Sequence, residues 1–257
     1  MLLGKGRRVI RQLSMAPMWQ LLVASLVLAV FTLQGCGGGG GGEAPLTPPS
    51  GVFKTFRVGD SWTYDVSGTV TDLETGESES VKGTLRYDIV EETDVDGVTS
   101  LVLKWTLSLT TTSGIPITMT EFLLIGQDEI RSIWLIGMST PEGNDLLVEP
   151  VIMWRSPMEV GQVVTYTGNF ASGKVEMGSY RVERVERVSV PAGSFVAFKV
   201  TGSSTIKDWV GQTISSEETT SWVVPEVGGI VREILTFTDY EDDISFKLTA
   251  ALKTYTK

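Results

Sequence analysis

The sequence predicts a mainly β fold. It is an antiparallel sheet, curved into a half-barrel or closed into a barrel, built from two similar halves of roughly 100 residues. A face-to-face β-sandwich is the alternative. Three observations carry the prediction. Apolar and polar residues alternate with a period of two over long runs. Turn-forming clusters separate those runs. A set of landmarks recurs in the same order in both halves of the chain.

The chain opens on an export signal. Lys5, Arg7, Arg8 and Arg11 supply positive charge, and no acid occurs before residue 36. An apolar run of 13 residues, Leu21 to Leu33, comes next. That is too short for a spanning helix of about 20 residues. The run ends in Leu33-Gln34-Gly35-Cys36, which resembles the lipobox of bacterial lipoproteins. The resemblance implies cleavage between Gly35 and Cys36 and acylation of the Cys36 sulfur by palmitate-type chains. It also implies a place in the cell envelope, and Gly37 after the cysteine points to the outer membrane, facing the periplasm. Residues 1–35 are then a signal peptide. Acyl chains contribute about 0.8 kcal/mol per buried methylene, so two or three hold a protein on a lipid bilayer. Residues 36–51 read as the lipidated cysteine and a flexible linker, because Gly37 to Gly42 pack nothing and Pro45, Pro48 and Pro49 stiffen its second half.

Residues 52–257 form the β-rich body, with repeats expected over 52–140 and 155–257. Trp62, Tyr64, Val66 and Val70 share one strand face, and Thr63, Asp65, Ser67 and Thr69 share the other. Leu101, Leu103, Trp105, Leu107 and Leu109 alternate with Val102, Lys104, Thr106 and Ser108. Ile244, Phe246, Leu248, Ala250 and Leu252 do the same near the C-terminus. Glu74-Thr75-Gly76, Asp94-Val95-Asp96-Gly97, Pro191-Ala192-Gly193 and Gly228-Gly229 supply turns. Pro225 cannot donate to a ladder and ends the strand that begins near Thr219. A short helix is expected between Pro141 and Glu149.

The repeat rests on four landmarks. Val58-Gly59-Asp60-Ser61-Trp62-Thr63-Tyr64 matches Val160-Gly161-Gln162-Val163-Val164-Thr165-Tyr166, and Tyr87 answers to Tyr180. Leu101 to Lys104 answers to Val196 to Lys199, and Thr120 to Leu124 answers to Thr220 to Val224. The second half also carries Val190-Pro191-Ala192-Gly193-Ser194-Phe195 and, later, Trp222-Val223-Val224-Pro225-Glu226-Val227-Gly228-Gly229-Ile230-Val231. These resemble the VPAGxF turn and WxxPxVGxV hairpin of a group of bacterial periplasmic β-rich lipoproteins. That resemblance implies a β-rich, half-barrel-like body and brings no activity with it.

Composition narrows the chemistry. There is one cysteine and no histidine, so Ser–His–Asp, Cys–His and histidine zinc sites are excluded by inventory. Removing the four basic residues of the signal leaves 17 Lys and Arg against 31 Asp and Glu, a net charge of −14. Such a surface repels phosphate backbones, so nucleic acid is not an expected partner. Asp94-x-Asp96-Gly97 starts like a calcium loop, but Trp105 stands where the distal glutamate belongs. Asp239, Glu241, Asp242 and Asp243, and Glu217-Glu218, read as solvated hairpin tips. No metal and no cofactor are expected.

The aromatic residues Trp62, Tyr64, Trp105, Phe122, Phe198 and Trp222 fall mostly on apolar faces, either as core or as the lining of an apolar pocket. The functional expectation is a non-enzymatic, membrane-anchored envelope lipoprotein. Its partners are the bilayer, through the acyl chains, and an apolar ligand or an envelope protein. A structural or assembly module of the envelope, or a carboxylate-based hydrolase, are the alternatives.

Overall fold

A computed structural model describes residues 46–140 and 143–256. Cys36, the cleavage site and most of the linker lie outside the described residues. Twelve strands succeed one another along the chain: β1 (Ser61–Asp72), β2 (Ser78–Val95), β3 (Val98–Thr111), β4 (Pro116–Gln127), β5 (Ile133–Thr140), β6 (Gly143–Trp154), β7 (Val163–Asn169), β8 (Val175–Val190), β9 (Gly193–Lys207), β10 (Thr213–Val224), β11 (Gly229–Asp239) and β12 (Ile244–Tyr255). All join a single antiparallel sheet in the order β6-β5-β4-β3-β2-β1-β12-β11-β10-β9-β8-β7. The sheet curls into a nearly closed barrel, and the sandwich alternative falls. At the seam, Leu147 bridges Phe170, and the Ala171 N–H donates to the Leu146 carbonyl at 2.9 Å.

The strand order is two six-stranded meanders joined through β1 and β12. Equivalent turns close on equivalent bonds. Gly59 N–H donates to the Ile89 carbonyl and Gly161 N–H to the Val182 carbonyl, both at 2.8 Å. Both glycines hold positive φ, +95° and +87°, which an L side chain resists. A bulge occurs in each second strand, between Ile89 and Glu91 and between Val182 and Arg184. These bonds make Tyr87 the counterpart of Tyr180. They make Val200, not Phe198, the counterpart of Leu103. The last two sequence landmarks therefore run two residues out of structural register. An even slip keeps every side chain on its face, so the alternation hid it.

Period-two patterning decides what enters the barrel. Trp62, Tyr64, Val66 and Val70 of β1 are buried with Leu103, Trp105, Leu107 and Leu109 of β3 and Ile244, Phe246, Leu248, Ala250 and Leu252 of β12. Residues 50–57 cross one end and cap it. Phe53 is fully buried there, with its ring 6.4 Å from that of Trp154. The strap is tied to three connections at this end: Lys54 N–H to the Pro225 carbonyl (3.0 Å), Phe56 N–H to Gln127 Oε1 (3.1 Å), and Met158 N–H to the Gly51 carbonyl (2.7 Å).

Three expectations need correction or refinement. The segment Pro141–Glu149 forms no helix among its described residues, because β6 begins at Gly143 and pairs with β5. Glu217 and Glu218 are no hairpin tip. They lie inside β10, where alternation turns Glu217 inward (1% exposed) and leaves Glu218 outside. Asp94–Gly97 does form a turn, with Asp96 and Gly97 at φ +52° and +82° as a two-residue primed hairpin requires. No helix among the described residues is long and apolar enough to cross a membrane.

Candidate functional site

The six aromatic residues do not converge on one pocket. Trp62 and Tyr64 point into the capped end of the barrel, and both spend their polar tips on backbone. Trp62 Nε1–H donates to the Val227 carbonyl and Tyr64 O–H to the Ile230 carbonyl, each at 2.8 Å. They border an apolar cavity of only ≈ 60 Å³ with Tyr87, Ile89 and Trp154. A second interior cavity, beside Leu85, Leu107 and Phe246, holds ≈ 30 Å³. Trp105 and Phe198 are core, 1% and 2% exposed. Phe122 and Trp222 face the opposite way, onto the outside of the sheet. The lumen is filled by the protein's own side chains, far short of the roughly 300 Å³ at which ligand pockets begin.

The lumen is also less apolar than the alternation of β1, β3 and β12 suggests. On β8 to β11 the inward positions include Glu176, Ser204, Ser215, Glu217, Thr219, Ser221 and Glu233, all buried. Glu121 of β4 joins them. Tyr166 O–H donates to Glu176 Oε1 at 2.7 Å, and Ser221 O–H donates to Glu233 Oε1 at 2.9 Å. Tyr166 reaches Glu176 across Gly178, where a Cβ would strike its hydroxyl at 2.5 Å. Burial dominates the titration of these acids, because desolvation penalises the ionised form. It pushes Glu121 up to about 8, with the Trp105 indole N–H and the Lys174 ammonium pulling the other way. It pushes Glu176 and Glu233 up to about 7, opposed by the Tyr166 and Ser221 hydroxyls respectively. Sequence reasoning missed this polar sector because each acid, taken singly, looks like a surface residue. Among the described residues, no group of three or more acids or cysteines is placed to hold a metal ion.

A larger open space lies outside the barrel. A groove of ≈ 400 Å³ runs over the outer face of β2 to β6, lined by Val90, Glu91, Thr93, Val102, Phe122, Leu124, Ser139 and Asn144. Its floor belongs to an apolar cluster separate from the core: Val102, Leu124 and Ile136 are buried, with Val95, Phe122 and Leu146 packed against them. Outward strand positions of a water-exposed sheet ordinarily carry polar groups. Two rows of paired residues run beneath the groove. One is Phe122–Ser139–Asn144 across β4, β5 and β6, flanked by Lys104 of β3 beside Phe122, and the next is Glu91–Val102–Leu124 across β2, β3 and β4.

The second half closes the matching face. Trp222 also lies outward, but Lys199 and Arg232 cover its ring at 5.6 and 4.9 Å, and its Nε1–H donates to Glu186 at 2.6 Å. Arg184 holds that same carboxylate at 2.6 Å. Desolvation is the largest single influence on Glu186 and pushes its pKa up, but the hydrogen bonds from Trp222 and Arg184 and the Arg184 and Lys199 charges together outweigh it and lower the pKa. Phe122 has one cation near its ring among the described residues, Lys104 at 5.8 Å from the ring centre. One half of the barrel thus buries its outer aromatic under its own cations, and the other leaves a groove beside it.

No family model matches the chain, and no curated protein matches it. Two solved structures are similar. A Bacteroides fragilis protein, described as exported and of YmcC-like fold, is 16% identical and covers 80% of this chain and 99% of its own, with a TM-score of 0.40. A Parabacteroides distasonis protein, described as a lipoprotein, is 12% identical and covers 82% of this chain and 100% of its own, with a TM-score of 0.39. Both likenesses are distant.

Proposed function

We propose that this chain is a non-enzymatic lipoprotein of the cell envelope, anchored through acylated Cys36 on the outer membrane and facing the periplasm, and that it holds an apolar ligand in the outer groove of β2 to β6. The anchor reading is supported by Leu33-Gln34-Gly35-Cys36 behind a basic and then apolar leader. The ligand reading is carried by one observation: a groove of ≈ 400 Å³ floored by Val102, Phe122 and Leu124 on the outside of a barrel whose inside is full. A hydrolase would need two acids flanking a cleft that admits substrate. The acids Glu121, Glu176, Glu217 and Glu233 sit instead in a packed interior, and Glu91 is the one acid that lines the groove, which favours a binding protein.

Labelled palmitate fed to producing cells tests the anchor: the native chain takes up label, and Cys36→Ser loses both label and membrane association. Acylation that survives Cys36→Ser would sink that part. Native mass spectrometry of the chain extracted from membranes tests the ligand. A copurifying apolar molecule, lost when Ser139→Trp fills the groove, is expected. A ligand retained in Ser139→Trp would place binding elsewhere.

A further inference from the structure

The outer groove is graded along its length. The row Lys104–Phe122–Ser139–Asn144 supplies an ammonium, a hydroxyl and a carboxamide beside one aromatic ring. The neighbouring row and the cluster behind it are almost wholly aliphatic, with Val102, Leu124 and Ile136 buried. Lys104 makes no ion pair among the described residues. Its cross-strand neighbour is Asp88, whose carboxylate is already held by Arg86 through three contacts of 2.8 to 2.9 Å. Arg86, Asp88 and Lys104 together therefore carry one net positive charge at this end. An ammonium with no ion pair among the described residues, beside an apolar trough in a chain of strongly acidic balance, is a local exception to the surface around it.

We propose that the groove binds a single-chain anionic amphiphile, with its head on Lys104, Ser139 and Asn144 and its hydrocarbon tail along Val102 and Leu124. This rests on the groove being the ligand site at all. A carboxylate or phosphate accepts from all three head-row donors, and the ammonium makes that contact charge-assisted. The tail covers the apolar surface beside Phe122, whereas in the second half Lys199 and Arg232 lie over the outer aromatic, Trp222. Glu91 borders the tail row from β2 and is exposed. A cationic head would have to choose it over Lys104, so a cationic amphiphile is the competing occupant.

The test uses the full chain with Cys36→Ser and three amphiphiles of equal tail length below their micelle concentrations: dodecanoate, dodecanamide and dodecyltrimethylammonium. Calorimetric titration is expected to show dodecanoate binding one to one, about tenfold tighter than dodecanamide, with the cation weakest. Lys104→Met keeps the stem over Phe122 and removes the charge. It should lower dodecanoate affinity about tenfold and leave dodecanamide unchanged, with an unaltered melting curve. Equal binding of the acid and the amide, preference for the cation, or indifference of dodecanoate to Lys104→Met would overturn the proposed head site while leaving an apolar groove intact. If none of the three binds, the ligand reading falls with it.

Discussion

Replacing Glu121 with glutamine should make the protein more stable at neutral pH and change little in acid. The Glu121 carboxyl has a folded pKa of about 8 against an ordinary 4.5, because it is buried beside Trp105. A carboxyl whose folded pKa is raised binds its proton more tightly in the native state than in the unfolded chain. Its contribution is intact below pH 4.5 and is lost steadily as pH climbs towards 8. At pH 7 the unfolded chain has gained about 2.5 pH units of ionisation free energy that the native state forgoes, about 3 kcal/mol at 1.36 kcal/mol per unit. Glu121→Gln keeps the shape but cannot ionise. The stability difference between variant and native protein should therefore grow by about 3 kcal/mol in favour of the variant between pH 4.5 and pH 7. Glu176 and Glu233 titrate in the same window but do so in both proteins, so they cancel. Guanidinium unfolding followed by tryptophan fluorescence at pH 4.5, 5.5 and 7 gives the numbers. A difference that stays flat with pH would show that Glu121 is ionised or solvated in the native state, and the account of the polar lumen would be wrong.

Phe53→Ala should cost about 3–5 kcal/mol in denaturant unfolding, as for other fully buried phenylalanines, because the ring seals the capped end against Trp154. A loss below about 1 kcal/mol would mean the strap is not part of the cooperative unit. Tyr166→Phe removes the O–H that steadies the ionised Glu176, so the carboxyl should titrate above its present value of about 7 in carbon-13 NMR; a downward move would contradict the burial argument. Gly59→Ala and Gly161→Ala each force an L side chain to positive φ, and each should cost about 1–2 kcal/mol. Markedly unequal costs would indicate that the two halves do not share the turn.

Much of the fold is legible in the chain. The runs Trp62–Val70, Leu101–Leu109 and Ile244–Leu252 place their greasy residues inward as the alternation requires, because side-chain direction in a strand is local geometry. Pro225 stops β10 and Gly228 turns the chain at φ +94°, both for reasons internal to those residues. The candidate site was far less legible. Phe122 and Trp222 look alike in the sequence, as aromatics on strands, but what covers each depends on neighbouring strands. Trp222 meets Lys199 from β9 and Arg232 from β11, while the row beside Phe122 ends in Ser139 and Asn144. Glu217 and Glu218 show the same limit, since alternation states that they face opposite ways but not which of them is inside.

By itself the sequence determined the strand faces and most of the turns, because each is a matter of residue type at short spacing. Only the tertiary structure decided that the sheet curls until its edge strands β6 and β7 nearly meet, that its interior is packed and partly acidic, and that a groove lies over the outer face of β2 to β6. Closure and pairing bring together residues more than a hundred positions apart, such as Trp62 and Val227, and no local pattern encodes which distant strand becomes the neighbour.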